Sequence, residues 1–583
     1  MIDATRKRNQ RLNRMTKFRS IYMGAPADIA RGVRGEVANA ALISHSRQFA
    51  RALHRVTDRV HCHVGSCLGN STMVLGRTGN IVIDTGDCVE QSAMQQQDFR
   101  AVSDRPVSAL IYTHSHYAMG SRTYVPQERE GQVPVWAHKD MMRTLARTLS
   151  DVQAALTRRA SIQFGLYLPD QGEDAMPSHG IGPFLFELDK YQPTTGFVRP
   201  TNLVGDGDEA EIDGVRFQFF DAPGDTYDSL LIWLPEEGIA VNNVAWPALF
   251  NIYTLRGETF RNPADLLRGL DQLLAMRPRH LVGVHGLPIS GEKEIRRCVT
   301  DYRDAIQYLY DQTVRGINLG MSADELVDYV RLPEALAQSR LTREFYGEAS
   351  FHVRQIYHGL MGWFGNDTVE LHRVPPDDRA VRMVALAGGP QYMQASVEQA
   401  LERQEYAWAA ELAGYLVRAY PECAHYRQLK ARGLRAMGQA TSAANSRAWY
   451  LTQARELEGS ADTSRIPVNF VNAALVAQFP PQTYVNALRF RLDPALSGAG
   501  ASSVDLRFTD VGFACRLLLR NGVVVLAPVD DASPDAGIDM SFSLWASLVG
   551  GEATADEAAG SEAVRLTGDA RLGRAVLEAA QGK

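Results

Sequence analysis

Short β-branched runs alternate with longer helix-like stretches between about residues 60 and 285. Alternation of this kind predicts strands and helices that interleave in one α/β or α+β unit. The predicted strands are Asn80–Asp84, Val107–Tyr112, Val133–Trp136, Val215–Phe220, Leu230–Leu234 and His280–Val284. Four of them end directly in polar or glycine positions. Strand ends that meet at one edge of a sheet are where functional sites are usually assembled.

From about Glu292 to Glu458 the strand pattern gives way to helical periodicity. Within it, the segment from Ala400 to Arg418 predicts a helical hairpin whose alanines allow close packing, and Pro421 ends the segment. Helices of this kind mainly build core and partner surfaces.

A polar interval at 459–464 precedes a final unit that runs from about Arg465 to Lys583. Asn521-Gly522 supplies the residues that a tight hairpin turn favours, and alternating runs flank it. The unit is therefore predicted to be a small α+β domain with strands at Val504–Phe508, Ala514–Leu519 and Val523–Leu526.

Length and composition exclude some classes of protein. With 583 residues the chain is too long for a single core, so several domains are expected. The formal net charge of -6 provides no electrostatic footprint for nucleic acid. No apolar run approaches the roughly 18 residues that a membrane span requires.

Cysteine usage and the N-terminus indicate the compartment. Six cysteines scattered over the chain are typical of reduced thiols, which predicts a cytoplasmic location. The N-terminus is basic between Arg6 and Arg19, but no apolar run follows, so the prediction is a solvated arm rather than a secretory signal.

The strongest local feature is Thr113-His114-Ser115-His116, at the end of a hydrophobic strand. Two imidazoles two residues apart at a strand end can present nitrogens to one divalent ion. Hydrogen-bonded loop histidines would give the same pattern, so from these residues alone both interpretations stay open.

This run resembles the Thr-His-x-His-x-Asp-His signature of metallo-β-lactamase-fold hydrolases, and Ile81-Val82-Ile83-Asp84 resembles another segment of that fold. Further matches are similar to the alkyl sulfatase branch of the superfamily. They are Ala222-Pro223-Gly224, Asn251 to Gly257, His285-Gly286-Leu287-Pro288, Arg158-Arg159-Ala160 and Gly165 to Pro169.

The resemblance extends over nearly the whole chain. Tyr308 to Thr313, Tyr346-Gly347 and Gly362-Trp363-Phe364 are similar to the family's helical dimerisation domain. The resemblance implies an αββα sandwich at 1–295, an all-α dimerisation domain at 296–460 and a sterol-carrier-like α+β domain at 461–583. It also implies a homodimer.

Several metal ligands of the family pattern are missing. Ala118 and Met119 stand where the pattern has Asp and His, Asn243 replaces a bridging glutamate, and Gly286 replaces a histidine. Thr226 replaces a further glutamate, with acidic neighbours at 225 and 228. We therefore expect one divalent ion, zinc or alternatively iron, with the candidate ligands His114, His116, Asp225 and His285; Asp228 is the alternative to Asp225 as the carboxylate ligand.

The resemblance also assigns roles around that ion. Asn251 and Arg256 match residues that handle sulfate in the family. Asp225, Asp228 and Tyr117 are candidate catalytic residues for a different reason, because they stand beside the positions of the missing ligands. The sequence thus predicts a metal-dependent hydrolase for a sulfate ester of an apolar or amphiphilic substrate. The alternatives are a dimeric binding protein that has lost catalysis and a mononuclear non-haem iron enzyme.

Overall fold

The structure is a computed structural model that describes residues 20–148, 152–497 and 500–582. The basic N-terminal arm predicted from the sequence lies outside these residues. The first fifteen strands are β1 Ile29–Arg31, β2 Val37–Asn39, β3 Ala52–Arg55, β4 Val60–Val64, β5 Ser71–Leu75, β6 Asn80–Ile83, β7 Val107–Ile111, β8 Val135–His138, β9 Asn202–Val204, β10 Glu209–Ile212, β11 Val215–Asp221, β12 Leu230–Leu234, β13 Ile239–Asn242, β14 His280–Gly283 and β15 Ile289–Ser290.

These strands form a two-sheet sandwich. A seven-stranded sheet has the order β3 to β9 and a six-stranded sheet the order β10 to β15, and β1 pairs with β2 alone. The inner faces meet in a buried core that combines, for example, Ile81 and Ile111 of one sheet with Phe217 and Ile232 of the other. The predicted fold is confirmed, with one strand displaced. The eighth strand starts at Val135 rather than Val133, because Pro134 cannot donate to the ladder.

Helices cover both outer faces of the sandwich, which gives the αββα layering. Phe99 of α2 packs with Val82 and Leu110, and Leu270 of α5 packs with Leu231. The helices up to this point are α1 Ala40–Ser46, α2 Val89–Arg100, α3 Met141–Thr148, α4 Gln153–Gln163 and α5 Pro263–Met276.

The central part of the chain is helical, as predicted. The segment from Ala400 to Arg418 comprises the end of one helix and most of the next, and these two helices pack in one cluster around Ala409 and Leu412. The predicted boundary at 295 falls inside α6, and the domain limits stay predictions. The helices are α6 Glu292–Asn318, α7 Ala323–Tyr329, α8 Glu334–Ala337, α9 Ala349–Met361, α10 Pro376–Leu386, α11 Pro390–Glu402, α12 Tyr406–Ala419, α13 Ala424–Ala440 and α14 Ala444–Leu457.

The C-terminal part is a five-stranded sheet with helices, and its strands lie in the order Val523–Ala527, Phe513–Arg520, Ser502–Phe508, Ala536–Met540 and Arg565–Gly568. The predicted hairpin turn is present: Asn521 (φ 52°) and Gly522 (φ 74°) both have the left-handed backbone that such a turn needs. The remaining elements are α15 Ala473–Val476, α16 Pro481–Val485, α17 Leu488–Arg491, β16 Ser502–Phe508, β17 Phe513–Arg520, β18 Val523–Ala527, β19 Ala536–Met540, α18 Phe542–Gly550, α19 Ala555–Ala559, β20 Arg565–Gly568 and α20 Ala570–Gln581.

Two further features of the fold concern membrane spans and the contact between the C-terminal part and the sandwich. No helix within the part of the chain that the structure describes is long and apolar enough to cross a bilayer. The C-terminal part packs on the sandwich, where Asn472 donates to the carbonyl of Thr195 (2.9 Å) and Arg199 donates to that of Gln478 (2.8 Å).

Candidate metal centre

His114 is oriented by a series of hydrogen bonds that begins at a buried carboxylate. Asp84 follows β6 and accepts from the backbone N–H (2.8 Å) and the hydroxyl (2.6 Å) of Thr113. With its proton directed to Asp84, the Thr113 hydroxyl accepts from Nδ1 of His114 at 2.9 Å. Nε2 of His114 is therefore left to face Asp225.

Three potential ligand side chains converge beside β7. Nε2 of His114 lies 3.4 Å from Oδ1 of Asp225, and Nδ1 of His116 lies 2.8 Å from Oδ2 of the same residue. One nitrogen or oxygen from each residue falls within 4.8 Å of the others. Asp225 reaches this position from the turn after β11. At Gly224 in that turn, a Cβ would lie 2.5 Å from the Asn243 carbonyl oxygen, so the close approach requires glycine.

Charges in this group stabilise one another. Burial opposes ionisation of Asp225, but His114 and His116 hold its pKa well below the usual value. Burial also opposes a charge on His114, yet Asp225 raises the pKa of that histidine. The triad thus provides a carboxylate anion between two imidazoles, which is an electrostatic setting for a cation.

The donor set fits a divalent transition metal. Nε2 of His114 is buried and has no hydrogen-bond partner among the described residues, a state that costs free energy unless another group binds the nitrogen. Two histidines and one carboxylate form a known set for mononuclear zinc or non-haem iron. Within residues 20–148, 152–497 and 500–582, this is the one such group of His, Cys, Asp and Glu side chains.

Comparison with known proteins identifies the family. The linear primary-alkylsulfatase of Pseudomonas sp. (strain ATCC 19151) is 34% identical over 477 residues, which cover 79% of this chain and 89% of that protein. The chain belongs to the alkylsulfatase family. The alkyl/aryl-sulfatase BDS1 of Saccharomyces cerevisiae is 28% identical over 426 residues, 70% of this chain and 64% of that protein.

Each of the three parts of the chain contains a family match. Residues 64–117 match the metallo-beta-lactamase superfamily, 322–460 the alkyl sulfatase dimerisation family and 469–580 the alkyl sulfatase C-terminal family. The stereoselective inverting sec-alkylsulfatase Pisa1 from Pseudomonas sp. has the same fold, with a TM-score of 0.82 at 23% identity over 95% of this chain and 92% of that one. The prediction of a sulfuric ester hydrolase is thereby confirmed at the level of the family.

At several positions where the alkylsulfatase pattern has a metal ligand, this chain has a residue that binds no metal. Ala118 is fully buried, and Met119 packs in the hydrophobic core. Asn243 donates to Oδ1 of Asp225 at 2.6 Å, so an amide steadies the carboxylate where the pattern has a second acid. Gly286 provides no side chain.

His285, predicted as a fourth ligand, is turned to a different partner. Burial lowers its pKa to about 4, so the ring is neutral at neutral pH. Its Nδ1 donates to the Leu68 carbonyl (2.9 Å), and Nε2 accepts from the Tyr117 hydroxyl at 3.1 Å. A Cβ on Gly69 would lie 2.6 Å from the Tyr117 ring, which shows how closely this ring fills the space. Tyr117 therefore lies between His285 and the triad.

Asp228, a predicted catalytic residue, contacts the backbone of the histidine loop. Its Oδ2 accepts from the Ser115 N–H at 2.9 Å, and its Oδ1 is 3.3 Å from the Ser115 hydroxyl. This geometry suits a positioning residue for the loop that carries His114 and His116. A direct catalytic role for Asp228 stays a prediction.

The predicted substrate-binding residues Asn251 and Arg256 lie near Arg261, which was not predicted from the sequence. Arg256 forms an ion pair with Glu258 (3.1 Å), whereas Asn251 accepts from Nη1 of Arg261 at 2.6 Å. Nε of Arg261 also donates to the Asp225 carbonyl at 3.1 Å, but its Nη2 is buried without a partner among the described residues. No motif marks Arg261; its only local signal is a place just before the Asn262-Pro263 helix start.

A cavity of about 750 Å³ opens beside these groups. Asp225, Arg261 and Glu258 line its polar side, and Leu156 and Leu266 contribute apolar surface. The cavity therefore brings an arginine and the triad carboxylate to one wall, with room for a substrate next to them.

Proposed function

We propose that the chain hydrolyses a sulfate ester of an apolar or amphiphilic alcohol, with one divalent metal ion held by His114, His116 and Asp225. The observation that carries the proposal is the convergence of these three side chains, in which the buried Nε2 of His114 makes no hydrogen bond within the described residues and only approaches Asp225 at 3.4 Å. Family membership supports the reaction class, since the relatives are named alkylsulfatases.

Zinc is the proposed ion, and iron(II) is the alternative. When bound, such an ion acts as a Lewis acid and lowers the pKa of a water molecule, which supplies a nucleophile near neutral pH. A single ion follows from the replacement of ligands by Ala118, Met119, Asn243 and Gly286 and from the engagement of His285 with Tyr117. His285 is therefore proposed to support the site rather than to complete it.

Arg261 is proposed to bind the sulfate group. Its guanidinium is fixed by Asn251 and by the Asp225 backbone, so the free Nη2 donor is already oriented before a ligand arrives. Charge-assisted hydrogen bonds from arginine suit the oxygens of a sulfate ester. Arg256 contributes less positive charge, because Glu258 neutralises it and is itself held below its usual pKa by Arg256 and Arg261 despite burial.

Asp225 and Tyr117 are also candidate catalytic residues of this site. Asp225 is proposed as a ligand that also orients the reactive water through its carboxylate. Tyr117 is proposed to contact the leaving-group side of the site, since its ring packs edge-on against both His114 and His285. If Tyr117→Phe hydrolyses 1-octyl sulfate at the wild-type rate, the Tyr117 hydroxyl has no role in the reaction.

The decisive experiment combines elemental analysis with sulfate release from 1-octyl sulfate. The purified protein is expected to contain about one equivalent of zinc or iron and to release sulfate. His114→Ala and His116→Ala should lose both properties, while His372→Ala, at an exposed position, should keep them. Release of sulfate by metal-free protein would overturn the metal assignment, and metal binding without release would overturn the reaction.

The second candidate is a binding protein on the same fold. It is favoured by one observation: Asp225 is already contacted by His114, His116 and Asn243, so the triad is paired even without an ion. Under this hypothesis, the protein contains only trace metal and Zn(II) or Fe(II) does not raise its melting temperature. Mononuclear iron redox chemistry is separated from zinc hydrolysis by elemental analysis of protein prepared anaerobically.

A homodimer is proposed through the region that matches the alkyl sulfatase dimerisation family. Large apolar side chains are exposed there, including Trp363 (64%), Val369 (71%) and Leu386 (81%). Exposed apolar groups in such number are typical of surfaces that another chain covers. Light scattering should give twice the chain mass, and Trp363→Ser should shift it toward the monomer; a monomeric wild-type protein would overturn the proposal.

We also propose a cytoplasmic location. All six cysteines are free, and five of them are buried as thiols within packed regions, which suits a reducing compartment. Fractionation of the native host cells tests this, and recovery of the protein outside the cytoplasm would contradict it.

A further inference from the structure

A second cavity, of about 500 Å³, lies next to His285. Trp246 and His285 form part of its lining, but none of the three candidate ligands does. It is thus separate from the 750 Å³ cavity beside Asp225, with which it shares no lining residue.

The charged side chains that line this cavity are basic. Arg340 and Arg343 line it, and no Asp or Glu is among its lining residues. The nearest carboxylate to Arg340 is Glu294, at 3.8 Å, and Glu294 is itself bound by Arg297 at 2.8 Å. Excess positive charge therefore remains at this end of the cavity.

Arg343 is the arginine with the greater capacity to bind a ligand. Its guanidinium lies over the ring of Phe345, 4.6 Å from the centroid, and has no carboxylate within ion-pair distance in the described part of the chain. An arginine held by stacking keeps its N–H donors available for an anion. His45, also in the lining, adds no charge at neutral pH, because burial lowers its pKa to about 4.

One side of the cavity is apolar, whereas Ser44, Gln48 and Gln338 add neutral polar groups elsewhere in the lining. Trp246, Ile289 and Leu341 belong to the hydrophobic core, and Pro247 and Leu287 complete this apolar side. A cavity with cationic donors and an apolar wall has the chemistry to bind a molecule with one anionic head and a short apolar chain.

We propose that this cavity is a binding site for an amphiphilic monoanion, with a sulfate, sulfonate or carboxylate head at Arg343 and Arg340 and an aliphatic chain along Leu287 and Trp246. The site is independent of hydrolysis. It requires neither a metal ion nor turnover, so the proposal can fail or hold separately from the proposed function.

The test is isothermal titration calorimetry of the full-length protein with 1-hexanesulfonate, whose C–S bond a sulfatase does not hydrolyse. The combined substitution Arg340→Gln with Arg343→Gln is expected to weaken binding at one site at least tenfold. Arg296→Gln, at an exposed position of α6, and Arg261→Gln, at the metal centre, should leave that site unchanged. Arg343→Lys, which keeps the charge, should retain part of the affinity.

Three further measurements make the assignment specific. Leu287→Gln should weaken 1-hexanesulfonate binding at this site but not the binding of inorganic sulfate, and 1-hexanol should not respond to the arginine substitutions. If sulfate binds as tightly as 1-hexanesulfonate, the amphiphile class is wrong. If binding is absent, or is lost in Arg261→Gln and unchanged in the Arg340 and Arg343 double variant, the site does not exist and the metal-centre proposal is unaffected.

Discussion

The side-chain amide of Asn243 donates a 2.6 Å hydrogen bond to Oδ1 of Asp225, the residue that pairs with both His114 and His116. The Asn243 oxygen in turn accepts from the indole N–H of Trp246 at 3.1 Å, so the amide orientation is fixed from behind. A residue that stands where the alkylsulfatase pattern has an acid thus orients the remaining acid.

We predict that Asn243→Ala lowers affinity for Zn(II) about 10- to 100-fold, because partners that orient a ligand typically contribute that much. Competition titration against a chromogenic chelator measures the change. Asn486→Ala, which removes an amide from the C-terminal part, is the control and should leave Zn(II) affinity unchanged. Equal affinities in Asn243→Ala and wild type would contradict the orienting role.

Arg261 should contribute more to hydrolysis than Arg256. Removal of one preorganised donor commonly costs about a hundredfold in rate, and Arg261→Gln should lower kcat/KM for 1-octyl sulfate by about that factor. Arg256→Gln should cost less, because Glu258 already neutralises its charge. Arg268→Gln, on the exposed side of α5, is the matched control. The opposite ranking of Arg256 and Arg261 would contradict this prediction and support Arg256, the residue predicted from the sequence.

His179 is predicted to make the protein sensitive to acid. It is 1% exposed, and neither ring nitrogen has a hydrogen-bond partner among the described residues; burial lowers its pKa to about 3. As pH falls through 6.5 the unfolded chain binds a proton here and the folded chain does not, so stability is lost with falling pH. At pH 5 this amounts to about 2 kcal/mol relative to pH 7.

Replacement of His179 by Phe should therefore flatten the acid limb of the stability curve. The site is lined by Phe164, Phe184 and Phe186, so an aromatic ring is compatible with the packing. Urea unfolding at pH 7 and pH 5 tests the prediction, with His425→Phe at an exposed position as control. A pH dependence that is the same in His179→Phe and wild type would refute it.

Arg447 should be essential for the attachment of the helical part to the sandwich. This fully buried arginine of α14 donates to the carbonyl oxygens of Val37 (2.8 Å), Ala175 (2.7 Å), Glu173 and Gly438. Arg447→Met leaves these carbonyls without their donor and should lower the free energy of unfolding by about 3 kcal/mol. Urea unfolding measures the loss. Arg432→Met, at an exposed position of α13, should have little effect, and equal stability of the two variants would exclude this role.

The local sequence pattern was sufficient to predict most of the fold. Short apolar runs such as Val107–Ile111 formed strands because a strand inside a covered sheet buries both of its faces. Asn521-Gly522 formed its turn because both residues tolerate a left-handed backbone. The start of β8 was misplaced by two residues, where Pro134 removed a ladder donor. Strand formation and turn type depend on residues that are close together in the sequence, so both can be predicted from one sequence.

The sequence by itself determined the family, the strand-end position of His114 and His116, and the loss of ligands at Ala118, Met119, Asn243 and Gly286. Only the tertiary structure placed Asp225 rather than Asp228 beside the two histidines, turned His285 toward Tyr117 and left Nη2 of Arg261 without a hydrogen-bond partner among the described residues. The reason is physical. The direction of a loop side chain such as Asp225 or Asp228 depends on contacts with residues more than a hundred positions away in the chain, and no local pattern contains that information.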